Sequence, residues 1–148
     1  MARRRSSTNY LLAQEPVIIN RELPKVIQDV GFDFSWDEKK VWALPLMVDN
    51  MEIEDLTWYL LTPFIWPKPN GYYDVKPIEV IKNPTEHPEE YERVKKADAS
   101  YPIDIMLWKG RWVILDGLHR LMKQYLEGHK VVQVRKVPSS AISIIRAG

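Results

Sequence analysis

The residues whose types and spacing could do chemistry stand together at positions 116–120: Asp116, Gly117, Leu118, His119 and Arg120. An apolar run at 112–115 leads into them and a stretch of helical periodicity follows, so the pattern predicts a strand, an Asp-Gly turn and a helix. That order puts the backbone N–H groups of Leu118, His119 and Arg120 at a helix N-terminus. They have no intrahelical partner there, and the helix dipole adds roughly half a positive charge. Gly117 lets the backbone approach a ligand closely. His119 and Arg120 add side-chain donors at the same place, and a phosphate can accept from all of these groups together. The spacing fits a plain Asp-Gly turn with a surface His-Arg pair as well, and on its own leaves both readings open.

Other reactive residue types are more scattered. Glu86, His87, Glu89 and Glu90 have the composition of a metal cluster. They also open a predicted helix, where the dipole favours acidic residues, and on that reading no metal site is expected. His129 follows Gly128 and reads as a turn residue, and Ser139-Ser140 has no visible base partner. Arg120, Lys123, Lys130, Arg135 and Lys136, opposed only by Glu127, make 120–136 locally basic. Such a face attracts phosphates or nucleic acid, or is simply solvated. Arg3, Arg4 and Arg5 read as a mobile tail or a phosphate-seeking arm. The chain has no cysteine, which excludes a thiol nucleophile, a thiolate metal site and a disulfide framework.

The elements that must position the 116–120 segment follow from periodicity and turn residues. A short helix is predicted at 21–31, with Pro24 in its first turn and Gly31 as its stop. Phe32, Phe34 and Trp36 alternate with polar residues as in a strand. The run at 41–48 is interrupted by Pro45 and reads as an edge strand or irregular segment. Asp49 or Asn50 is placed to cap a helix over about 52–61, ended by Pro63. The aromatic stretch at 58–73 is either core with a proline-stiffened lid or a stacking surface for a small substrate. Downstream, strands are predicted at 75–81, 102–107, 112–115 and 131–137, and helices at 89–97 and 118–127.

The 148 residues favour a single domain, and 45% hydrophobic with 28% charged residues is a globular composition. We therefore expect one α+β domain, a small mixed sheet with helices. A net charge of +1 does not indicate a globally basic nucleic-acid binder. No apolar run approaches the roughly 20 residues of a membrane span, and no secretion signal is read at the N-terminus, so a cytoplasmic protein without membrane contact is expected.

Residues 113–120, the helix after them, Gly128 and the strand at 131–137 resemble the ParB/sulfiredoxin superfamily. In that superfamily a strand leads into a short Gly-containing His-Arg or Arg-Arg motif that opens a helix and holds nucleotide phosphates. The form Asp116-Gly117-Leu118-His119-Arg120 is most similar to the Asp-Gly-x-His-Arg motif of the ParB-like free serine kinases. Upstream, 77–81 and Lys82-Asn83-Pro84-Thr85-Glu86 resemble the strand and Pro-x-Glu turn of those kinases. The resemblance covers about 75–138. It implies a ParB/sulfiredoxin-like core there, an extension or lid over 1–74 and a tail over 139–148. It further implies that Gly117, Leu118, His119 and Arg120 hold phosphates, that Asp116 positions the loop or the metal-nucleotide, and that Glu86 is the general base. Leu118 stands where the sulfiredoxins carry Cys, which excludes thiol-based sulfinic-acid reduction. Thr85 stands where the kinases usually carry His. The DNA-partitioning members add a helix-turn-helix domain, for which the chain to Gly148 leaves no room.

The resulting expectation is an enzyme that takes ATP or ADP, with CTP as a third candidate, together with Mg²⁺. Phosphoryl transfer to a small hydroxyl acceptor, or to water, would involve Glu86, Asp116 and His119. The other expectation is a ParB-like module that binds nucleic acid or a protein partner through the Arg tail and 120–136. A core that has lost its ligand and serves as a scaffold is a third.

Overall fold

A computed structural model describes residues 25–65 and 75–148. The Arg3–Arg5 tail, the start of the first helix with Pro24, and the aromatic and proline-rich residues 66–73 lie outside the described residues.

The chain forms one α+β domain on a four-stranded mixed sheet. Helix α1 (Lys25–Val30) and helix α2 (Glu38–Trp42) precede strand β1 (Asp49–Glu52). Two 3₁₀ helices follow, Ile53–Asp55 and Thr57–Leu61, and then α3 (Pro77–Lys82) and α4 (Pro88–Lys96). Strands β2 (Ile103–Trp108) and β3 (Arg111–Asp116), helix α5 (Leu118–Leu126) and strand β4 (Val131–Lys136) complete the sheet. After β4 come a 3₁₀ turn, Ser139–Ala141, and helix α6 (Ile142–Ile145), whose Ile145 is fully buried.

The strand order is β1-β4-β2-β3. Strands β2 and β3 form a hairpin across Lys109-Gly110, both at positive φ, the conformation a two-residue turn needs to match the strand twist. Helix α5 carries the chain from β3 to β4, which pairs parallel with β2 and antiparallel with β1. The parallel pair is β2 and β4, and the dozen or more residues such a connection needs are supplied by β3 and α5 together. Helices α3, α4 and α5 pack on one another, and α5 lies on β2.

Four expectations are corrected. Residues 77–82 are a helix, not a strand. Pro77 suits the first helical position, and the Glu79 side chain accepts from the Lys76 backbone N–H at 2.7 Å, which fixes the helix start. Residues 49–52 form an edge strand rather than a cap, because they pair with β4. The Ile53 N–H goes to Lys130 O across the sheet, and what remains before Pro63 forms two 3₁₀ turns instead of one α-helix. Phe32, Phe34 and Trp36 are not in a strand. All three are buried and, with Trp108, form a cluster with ring centroids 5.1–6.0 Å apart. Their alternation reflects burial in this cluster, and the only strand-like pairing there among the described residues is an isolated bridge between Trp36 and Arg146. Finally, 38–42 is a helix, with the Asp37 carboxylate accepting from the Lys39 N–H at 2.9 Å as its cap.

Residues 25–65 share the core with 75–148. Trp36 Nε1 donates to Leu115 O at 3.1 Å, and Trp108 Nε1 donates to Gly31 O at 3.0 Å. Buried Arg135 donates to Asp104 Oδ1 at 2.7 Å and to the carbonyls of Leu44 and Val41 at 2.8 Å each, tying β4 and β2 to the segment after α2. The pair is paired and hydrogen-bonded, which a buried charge requires.

Candidate functional site

The strand-turn-helix expected at 112–120 is present. β3 ends at Asp116, Gly117 is the N-cap residue, and α5 starts at Leu118. The sheet holds one end of the loop, and the apolar face of α5 holds the other: Leu118, Leu121 and Met122 are fully buried. Leu118 is therefore a core residue, and only its backbone faces the turn.

Gly117 has φ +115°, ψ 20°, a conformation that favours glycine. A Cβ built there would lie 2.9 Å from Arg120 Nη2 and 3.0 Å from Nε. The space over Gly117, expected to admit a ligand, is taken by the Arg120 guanidinium. Arg120 is buried and donates from Nη2 to Asp116 Oδ2 at 2.8 Å. Its Cζ lies 6.0 Å from the ring centroid of Tyr101. Its Nε and Nη1 are buried without a hydrogen-bond partner among the described residues. Asp116 Oδ2 also accepts from Trp42 Nε1 at 2.8 Å, which brings α2 into the site. Burial pushes the Asp116 carboxyl above its ordinary range. The Arg120 charge and the bonds from Trp42 and Arg120 pull it back only in part, and Asp104 adds to the rise.

His119 points to α4. Its Nε2 lies 2.9 Å from Glu90 Oε1, with both side chains about nine-tenths buried. Burial acts to raise the Glu90 carboxyl, but the His119 hydrogen bond and the charges of His119, Arg93 and His87 outweigh it and lower the pKa. Glu86 is elsewhere. It sits on the exposed turn before α4, and no hydrogen bond or ion pair joins it to the 116–120 loop. The carboxylate that touches the loop from this region is Glu90, which the sequence reading placed at a helix start and did not connect to His119. Their separation of 29 positions leaves no local pattern to find.

The turn at 98–101 stands next to Arg120. Asp98 accepts from Ser100 N at 3.0 Å and Ser100 Oγ at 2.6 Å, and these bonds, with the charges of Arg120 and Lys123, hold its carboxyl below the ordinary range. Lys123 Nζ is bound to the carbonyls of Lys95 and Ala97 at 3.0 and 2.9 Å, at the C-terminus of α4. Three of the five basic residues at 120–136 are thus committed within the fold, while Lys130 and Lys136 are exposed. Arg120 and Arg135 are buried in ion pairs, Lys123 caps α4, and Lys136 faces Asp49 at 3.4 Å. His129 pairs with Glu127 at 3.4 Å on the surface, and Ser139 and Ser140 are exposed in the turn after β4.

Among the described residues, no three of His, Asp and Glu stand close enough to hold a metal ion. The two carboxylates at the loop are already engaged, Asp116 by Arg120 and Glu90 by His119. No described helix is long and apolar enough to cross a membrane. Comparison with protein-family models, with curated proteins and with solved structures gives no match for this chain.

Proposed function

We propose that the chain is a nucleotide-binding protein with a ParB/sulfiredoxin-like core, and that the 116–120 loop receives the phosphates of a nucleoside di- or triphosphate. The observation that supports this is the Arg120 guanidinium. Two of its nitrogens are buried without a partner, beside the N-terminus of α5. Buried donors without acceptors are costly, on the order of 1–3 kcal/mol each, and more for charged groups. An anion reaching them recovers that cost, and the α5 N-terminus adds unpaired backbone N–H groups to the same place. A phosphate matches the guanidinium fork in charge and geometry. Mg²⁺ would come with the nucleotide, since the nearby carboxylates are already engaged, Asp116 by Arg120 and Glu90 by His119. With a triphosphate bound, positioning and charge stabilisation at the loop favour transfer of the terminal phosphoryl group to a small hydroxyl acceptor or water.

The test is isothermal titration of the full chain with ATP, ADP and CTP, each with Mg²⁺, at about 0.15 M salt. Arg120→Lys keeps a cation beside Asp116 but removes the two unpartnered guanidinium donors. It should weaken nucleotide binding by about 1.5–3 kcal/mol. Unchanged affinity in this variant removes Arg120 from the site, and no binding by the native chain rejects the reading.

A further inference from the structure

Holding α4 to α5 does not by itself require the Glu90–His119 pair. Both side chains could be replaced by apolar ones at an interface where α4 and α5 already pack, and a buried polar pair is weak evidence for stability. It is instead the arrangement that gives an imidazole a fixed role. Glu90 Oε1 is 2.9 Å from Nε2, so the carboxylate accepts the Nε2–H. A neutral imidazole carries one proton, so that bond leaves Nδ1 as the nitrogen with the free lone pair. Among the described residues Nδ1 has no hydrogen-bond partner. His119 is the residue before Arg120 in the first turn of α5, so the same helix start carries both the imidazole and the arginine whose Nε and Nη1 have no partner among the described residues.

Resting on the phosphate site proposed above, we infer that Glu90 and His119 are a proton-transfer dyad: His119 Nδ1 is the base that activates the phosphoryl acceptor, and Glu90 is its positioning residue. The step balances without a further reactant. The acceptor, a hydroxyl compound or water, gives its proton to Nδ1 as its oxygen bonds to the terminal phosphorus. The bond from that phosphorus to the bridging oxygen breaks, and the nucleoside diphosphate leaves with the electron pair. The imidazolium is held against the Glu90 carboxylate until it returns the proton to solvent. This puts the base at the helix start that receives the phosphates, where Glu86 makes no hydrogen bond or ion pair among the described residues.

Long-range ¹H–¹⁵N correlation spectra of the full chain read the His119 tautomer directly. The expected native spectrum is a single Nε2–H form, with a mixture after Glu90→Ala and recovery of the single form after Glu90→Gln, whose amide oxygen still accepts. A native Nδ1–H form, or a spectrum that Glu90→Ala does not change, overturns the dyad. In nucleotide turnover with water as acceptor, His119→Gln should lower kcat by roughly 10²-fold or more and Glu90→Ala by about 10-fold or more. KM for the nucleotide should move far less, and Glu89→Ala on exposed α4 surface should leave both unchanged. Full kcat in His119→Gln, or bound nucleotide with no turnover in the native chain, overturns the dyad and leaves the phosphate site standing. No nucleotide binding in the titration overturns the phosphate site itself.

Discussion

Gly117 meets two demands, a left-handed backbone and a guanidinium standing where a Cβ would be. Gly117→Ala answers neither, so unfolding in urea should show a loss of about 2 kcal/mol or more. Trp42→Phe keeps an aromatic ring, though a smaller one, and removes one hydrogen bond to a buried carboxylate, and the same assay should show a loss of about 1–3 kcal/mol. Glu90 gives a pH dependence with a definite sign. Its folded pKa lies below its ordinary value, so its contribution is present above the ordinary glutamate range and is lost as pH falls through the lowered value. The stability difference between the native chain and Glu90→Gln should therefore be larger at about pH 6 than at about pH 3. A difference that grows toward acid contradicts the assignment. At this scale the sequence showed the loop and not its neighbours. Asp116, His119 and Arg120 are contiguous and could be read together. Trp42 lies 74 positions from Asp116 and Glu90 lies 29 from His119, so only the folded chain brings them to the loop.

Helix α5 turns the loop into a fixed site. Leu121 is fully buried on its inner face, and Leu121→Ala should cost about 2–5 kcal/mol in the urea midpoint analysis and loosen the loop with it. This helix was legible because its apolar period is clear and Gly117 and Gly128 bound it, although two of its apolar residues, Tyr125 and Leu126, are about two-fifths exposed. Helix α3 was not legible. Val75, Ile78, Val80 and Ile81 have the β-branched character of a strand, and only Pro77 with the Glu79 bond to the Lys76 N–H marks a helix start. Likewise, nothing local to 49–52 announces a strand. Its polar residues Asp49, Asn50 and Glu52 are exposed on a sheet edge, and Met51 alone is buried.

At the scale of the molecule, β1 comes from one half of the sequence and β4 from the other, and the aromatic cluster around Trp36 covers Leu115 and Trp108. A fragment of residues 75–148 should therefore show no cooperative thermal transition by circular dichroism, because β4 would lose its partner on one side and the core would lose Trp36, Val41, Leu56 and Tyr59. A cooperative transition in the fragment would show instead that it holds a core of its own. The strand order also sets a kinetic consequence. β4 is the last strand in sequence yet lies inside the sheet, and it must find Asp49–Glu52 far upstream as well as β2. Pairing at such separation is slow, because loop-closure entropy is lost before contacts compensate for it. Until β4 inserts, β1 and the inner edge of β2 present unpaired backbone to any neighbouring chain. The interval before that insertion is when a crowded refolding mixture of this protein is most prone to aggregate.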